Sequence, residues 1–138
     1  MANLSDLMNG IARMEGFWVN GSRSQRNNNP GNLRASSLAT GKDSSGYAIF
    51  PDIDTGWRAL QRQIELDTGR GLTLGKFIAK YAPSSENNTG NYLKNIMQWL
   101  GVGADTSLSQ IVAGEIVSSV NPNLNPTKGQ VKGKRIRK

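Results

Sequence analysis

The chain has 138 residues, with 17 Lys and Arg against 10 Asp and Glu and a formal net charge of +7, a length that suits one domain with a single core. It contains no Cys and no His, which excludes disulfides, a Ser-His-Asp triad, a Cys-His pair and His-ligated zinc. Any metal would have to be held by carboxylates and carbonyls, and protons carried by Asp, Glu, Lys or Tyr, which favours glycosidic or phosphoryl chemistry over amide hydrolysis.

The first helix is predicted over about Ser5 to Glu15, capped by Ser5 or Asp6. Leu4, Leu7, Met8, Ile11 and Ala12 form one apolar stripe along it. The next position on that stripe is Glu15, so a carboxyl stands where the pattern calls for an apolar side chain. Gly16 ends the helix. Residues 16–46 are rich in Gly, Asn, Ser and Arg and have little periodicity, which predicts a long structured loop with a small hairpin. Tyr47-Ala48-Ile49-Phe50 reads as a short strand stopped by Pro51-Asp52. A second helix starts near Asp54 or Thr55, puts Trp57, Leu60 and Ile64 on one face, and ends near Thr68 to Gly71. A third starts at Thr73, with Leu74, Phe77, Ile78 and Tyr81 as its stripe and Pro83 after its end. A fourth runs from about Thr89 to Gly101, with Tyr92, Leu93, Ile96, Met97 and Leu100 inward, and a fifth from about Asp105 to Ser119. The last carries Leu108, Ile111, Val112 and Ile116. The expected class is mainly α (α+β), with a small β element after the first helix.

Charge is unevenly distributed. Residues 128–138 hold six cations and no acid, whereas residues 1–127 hold eleven cations against ten acids, a net of +1. Asn121-Pro122-Asn123-Leu124-Asn125-Pro126 reads as a linker. The expected organisation is a folded domain over residues 1–120 and a linker with a basic tail over 121–138. No run approaches the roughly 18 apolar residues of a membrane helix. The N-terminal residues show no basic region followed by an apolar run, so no signal peptide is expected.

Two features carry chemistry. Glu15 is either a helix-end glutamate turned to solvent or paired with arginine, or a general acid. At the edge of an apolar face a carboxyl loses hydration, which disfavours its charged form and favours the protonated form that cleavage of a glycosidic bond requires. Phe17 and Trp18 follow at once and are placed to form a hydrophobic wall. The second feature is Asn27-Asn28-Asn29-Pro30-Gly31-Asn32-Leu33-Arg34. It is either a turn-forming stretch or a set of uncharged amides suited to sugar hydroxyls and N-acetyl groups, with Gly31 admitting a close backbone approach.

Met14-Glu15-Gly16 followed by Asn28-Asn29-Pro30-Gly31-Asn32-Leu33 resembles the catalytic segment of phage and bacterial lysozyme-like lytic transglycosylases, in the soluble lytic transglycosylase and goose-type lysozyme superfamily. Gly46-Tyr47-Ala48-Ile49-Phe50-Pro51 leading into Thr55-Gly56-Trp57-Arg58-Ala59-Leu60 looks like that family's strand-to-helix passage. Phe77-Ile78-Ala79-Lys80-Tyr81-Ala82-Pro83, then Glu86-Asn87 and Tyr92, is similar to its Tyr-Ala-Pro-Pro…Glu-Asn-Asp-Thr…Tyr segment, with Ser84 in place of the second Pro and Asn88 in place of the Asp. The resemblance spans roughly residues 4–112. It implies a lysozyme-like helical domain that cleaves the β-1,4 bond between N-acetylmuramic acid and N-acetylglucosamine, without metal or cofactor. Glu15 carries over as catalytic acid and then base. Ser24, Asn28, Asn29, Gly31 and Asn32 are expected along the glycan cleft, joined by Tyr81 and Tyr92, for which core packing is the alternative.

A hydrolase ordinarily needs a second carboxylate. The next acid after Glu15 is Asp43, followed by Asp52. A lytic transglycosylase needs one Glu, because the muramic acid 6-hydroxyl itself attacks C1. The expected function is therefore a phage-type peptidoglycan lytic transglycosylase. A hydrolytic muramidase on the same fold and a non-catalytic virion structural or glycan-binding protein are the alternatives. The expected partner is the peptidoglycan glycan strand, with the basic tail solvated, attracted to an anionic envelope surface, or bound to nucleic-acid phosphates, the last without an aromatic residue to stack bases. No obligatory nucleic-acid partner and no membrane span are expected, and the protein is expected to be monomeric unless it is part of a virion. Without a signal peptide, such an enzyme would be carried in a virion or released from the host cytoplasm to the wall.

Overall fold

The computed structural model describes residues 2–114. In chain order they form α1 (Leu4–Met14), α2 (Arg23–Arg26), β1 (Gly41–Lys42), β2 (Ala48–Ile49), α3 (Ile53–Gly69), α4 (Leu74–Tyr81), α5 (Thr89–Leu100) and α6 (Leu108–Ala113). The described residues are thus mainly helical, with a small antiparallel hairpin after the first helix, as the sequence predicts. The linker at 121–126, the basic segment at 128–138 and the end of the fifth predicted helix, including Ile116, lie outside the described residues.

Residues 8–66 make one compact unit, and residues 2–7 with 67–114 make another. In the first, the end of α1 is shaped by a left-handed glycine. Gly16 has φ of 77°, its N–H donates to Arg13 O and that of Phe17 to Ala12 O at 3.0 Å. This is the Schellman pattern, with Glu15 at the C-cap and with Phe17 and Ala12, the residues it joins, both buried. The hairpin pairs Gly41 with Ile49 and Lys42 with Ala48. Asp52 opens α3, accepting from Thr55 N at 2.7 Å. The helix therefore starts one or two residues earlier than its apolar stripe suggests, because the cap precedes the stripe. Ile11, Ala12, Phe17, Leu33, Ala48, Phe50, Ala59, Leu60 and Ile64 are buried.

In the other unit, Asn3 rather than Ser5 or Asp6 caps α1. Its Oδ1 accepts from Asp6 N at 2.9 Å while Asp6 Oδ2 accepts from Asn3 N at 3.1 Å, a reciprocal box. Thr73, Asn88 and Ser107 cap α4, α5 and α6 with their side chains. α6 starts later than the sequence predicts, because Ser107 caps it, and Gly114 in the left-handed region (φ 71°) is its C-cap. Asp67 is fully buried and ion-paired to Arg70 Nη1 at 2.6 Å and Lys80 Nζ at 3.2 Å, tying the end of α3 to α4.

α2 is absent from the sequence reading. Its four residues are too few to show periodicity, and it is capped by Ser22, whose Oγ accepts from Gln25 N at 3.2 Å.

Candidate functional site

The site is built on the unit formed by residues 8–66. Glu15 follows α1 directly: its N–H still bonds to Ile11 O at 2.9 Å, and its side chain is half-buried. A carboxylate here meets the negative end of the helix dipole, an unfavourable place for stability.

The Asn-rich loop reaches Glu15 at Asn32. Asn32 Nδ2 donates to Glu15 Oε1 at 3.3 Å. The loop that presents Asn32 is tightly braced. Asn29 is 0% exposed; its Oδ1 accepts from Leu33 N at 2.9 Å, and its Nδ2 donates to Leu33 O at 2.9 Å and Ala48 O at 3.0 Å. Ser24 Oγ donates to Asn29 O at 2.6 Å. Asn28, left-handed at φ 53°, donates from Nδ2 to Phe50 O at 3.1 Å. Backbone bonds from Ala48 N to Leu33 O and from Phe50 N to Asn27 O, both 2.9 Å, lace the loop to the strand side.

These bonds alter the sequence assignment. Ser24 and Asn29, expected to meet a ligand, are buried and bonded to the loop's own backbone, so they shape the loop and present no surface. Asn28 clips it to the strand, and Gly31 is buried within it. Asn32, among the loop residues singled out in the sequence, is brought to Glu15 by a side-chain hydrogen bond. Tyr81 and Tyr92 belong to the other unit. Tyr92 is 3% exposed on α5, and the Tyr81 ring packs on Phe77 at 5.3 Å; both fit the core-packing alternative.

An aromatic group adjoins Glu15 in the chain. Phe17, Trp18 and Trp57 lie within 5.6–6.2 Å of one another, centroid to centroid. Phe17 is buried, and Trp18 is 58% exposed. In the sequence Trp57 shows only as part of a helix stripe, and its pairing with Trp18 depends on long-range packing. α3 and the Asn loop meet at Gly56. A Cβ there would fall 1.9 Å from Asn28 O and 2.8 Å from Pro30 Cδ, so only glycine permits the approach.

The two other candidate carboxylates are held elsewhere. Asp43 organises the hairpin turn. It accepts from Tyr47 N and Ser45 N at 2.9 Å and from Asn27 Nδ2 at 2.9 Å, with Arg23 Nε at 3.6 Å. The Tyr47 backbone bond, then the Asn27 bond, hold its pKa below the ordinary aspartate value. Asp52 is lowered by its bonds to the Thr55 side chain and backbone. The Tyr47 ring is flanked by the guanidinium groups of Arg23 and Arg34, each 4.3 Å from its centroid, which stiffens the same hairpin.

Among the described residues no group of three or more acidic side chains could hold a metal ion, and no helix is long and apolar enough to cross a membrane. No family model, curated protein or solved structure matches the chain.

Proposed function

We propose that the protein is a peptidoglycan lytic transglycosylase of lysozyme-like fold, with Glu15 as its sole acid and base. The observation that carries the reading is the contact between the Glu15 carboxyl at the end of α1 and the Asn32 amide of a rigid loop. A carboxyl fixed by a neutral donor, in a unit that also exposes Trp18, suits a pyranose, whose apolar face stacks on Trp and whose hydroxyls bond to amides.

Glu15 in its protonated form gives its proton to the glycosidic oxygen as the bond to C1 breaks. The muramic acid 6-hydroxyl then attacks C1, and the Glu15 carboxylate takes the hydroxyl proton. The product is a 1,6-anhydro end, and Glu15 is restored to its acid form. The hydroxyl is held beside C1 by the sugar itself, an entropic advantage over free water. Asp43 and Asp52 support this route over hydrolysis. Each has oxygens occupied by structural donors, and each is a weakened base.

The test is mass spectrometry of muropeptides released from purified peptidoglycan by the full chain and by Glu15→Gln. The expected products end in 1,6-anhydro-N-acetylmuramic acid, lighter by one water than a hydrolase's products. Glu15→Gln should lose about 100-fold or more in rate, the scale for removing a general acid, with its fold intact. Ordinary reducing ends, with activity lost in Asp43→Asn or Asp52→Asn, would make the protein a hydrolytic muramidase. Binding to glycan strands without release of any fragment would make it a non-catalytic glycan-binding protein.

A further inference from the structure

Asn32 carries an amide that its backbone does not need. Its φ is 50°, in the left-handed region where glycine is least strained. Elsewhere the described residues meet positive φ with glycine, at Gly16, Gly21, Gly46, Gly71, Gly101 and Gly114. Asn28 is the other exception, and its side chain has a structural duty on Phe50 O. Asn32 has no such duty: its side-chain hydrogen bond goes to Glu15. Its Oδ1 is buried and finds no hydrogen-bond donor among the described residues, an arrangement that disfavours the folded state. A glycine would form the same turn with neither penalty. The amide is therefore retained for what Nδ2 does.

We propose that Asn32 is a positioning residue for the Glu15 carboxyl. An amide N–H donates without titrating, so it orients Oε1 and does not compete for the proton that Glu15 must give and take. The Asn32 backbone is itself fixed by its N–H to Asn29 O at 2.9 Å, and Asn29 is anchored on both sides of the loop. The 3.3 Å contact is at the long end for a hydrogen bond, and such contacts tighten once substrate is in place. Asn32 thus acts on the reaction through Glu15, and its role rests on Glu15 being the acid proposed above.

Asn32→Gly separates backbone from side chain, because glycine accepts the left-handed turn and removes the amide. The expected result is a protein at least as thermally stable as the wild type, with KM nearly unchanged and kcat lower by about 10- to 100-fold, the scale for a misplaced catalytic group. A second measurement needs no turnover. In the wild type the Asn32 side-chain amide protons, followed by NMR, should shift as Glu15 titrates, and that shift should vanish in Glu15→Gln. Wild-type kcat in Asn32→Gly, or an Asn32 amide that responds identically in Glu15→Gln, overturns the proposal. A wild-type protein that cleaves no glycan overturns the functional reading instead, and the amide titration still decides whether Asn32 holds Glu15.

Discussion

Asp43 and Asp52 are acids of one type that their neighbours have turned into structural acceptors. Asp43 gathers two backbone N–H groups, the Asn27 amide and Arg23 around the hairpin turn, and Asp52 caps α3. Both have pKa values lowered by those donors. The unfolded chain therefore binds protons at a higher pH than the folded one does. The stabilisation is fully present above the ordinary aspartate pKa and is lost as pH falls through the lowered folded values. Urea unfolding should give a stability that is flat near neutrality and declines in acid. Asp43→Asn and Asp52→Asn should each be less stable than wild type at neutral pH and converge with it in acid. An acid slope unchanged in both variants would remove them as its source. Glu15 is legible in the sequence because the stripe that points to it is local, repeating every three or four residues along α1. The roles of Ser24, Asn28 and Asn29 are not, because their partners are backbone atoms chosen by the fold, some of them, such as Ala48 O and Phe50 O, about twenty residues away.

At the scale of elements, α3, α4 and α5 were legible through apolar periodicity and through glycine, threonine and proline at their ends. α1 and α6 begin at caps, Asn3 and Ser107, that apolar periodicity does not reveal, because one side-chain oxygen decides the boundary. The docking of α3 on the Asn loop was not legible either, since Gly56 reads in sequence as a weak helix residue and becomes necessary only when Asn28 O lies against it. Gly69 in the same helix has nothing within 4 Å of a built Cβ and no positive φ. The same substitution should therefore have opposite effects at the two sites. Gly69→Ala should be neutral or stabilise by about 0.4–1 kcal/mol through the unfolded chain. Gly56→Ala should destabilise by about 1–3 kcal/mol or more, since the obstacles are a backbone oxygen and a proline ring that cannot swing aside. Thermal melts of the two variants check the sign. Glycan cleavage should fall in Gly56→Ala, because the loop it displaces is the one that carries Asn32. A Gly56→Ala protein as stable as Gly69→Ala would mean that the loop yields without resistance.

Over the whole molecule, charge is segregated along the chain. Six cations fall in residues 128–138, and the preceding 127 residues carry a net of only +1. A body so nearly neutral has little long-range attraction of its own, so adhesion to an anionic wall polymer should depend on those six charges. Screening sets the range of that attraction: the Debye length is about 30 Å at 0.01 M salt and about 10 Å at 0.1 M. The full chain should sediment with isolated bacterial envelopes at low salt and release progressively as salt rises. A chain ending at Thr127 should bind weakly and with little salt dependence. Its cleavage of short, soluble glycan fragments should match the full chain at high salt, because Glu15, Asn32 and the aromatic group all lie within residues 8–66. Those outcomes would make chemistry and adhesion separable functions of one chain, one carried by a hydrogen-bonded site and the other by net charge. Envelope binding by the shortened chain that equals the full chain's at low salt would transfer adhesion to the folded body, with the exposed Trp18 surface as the part to test next.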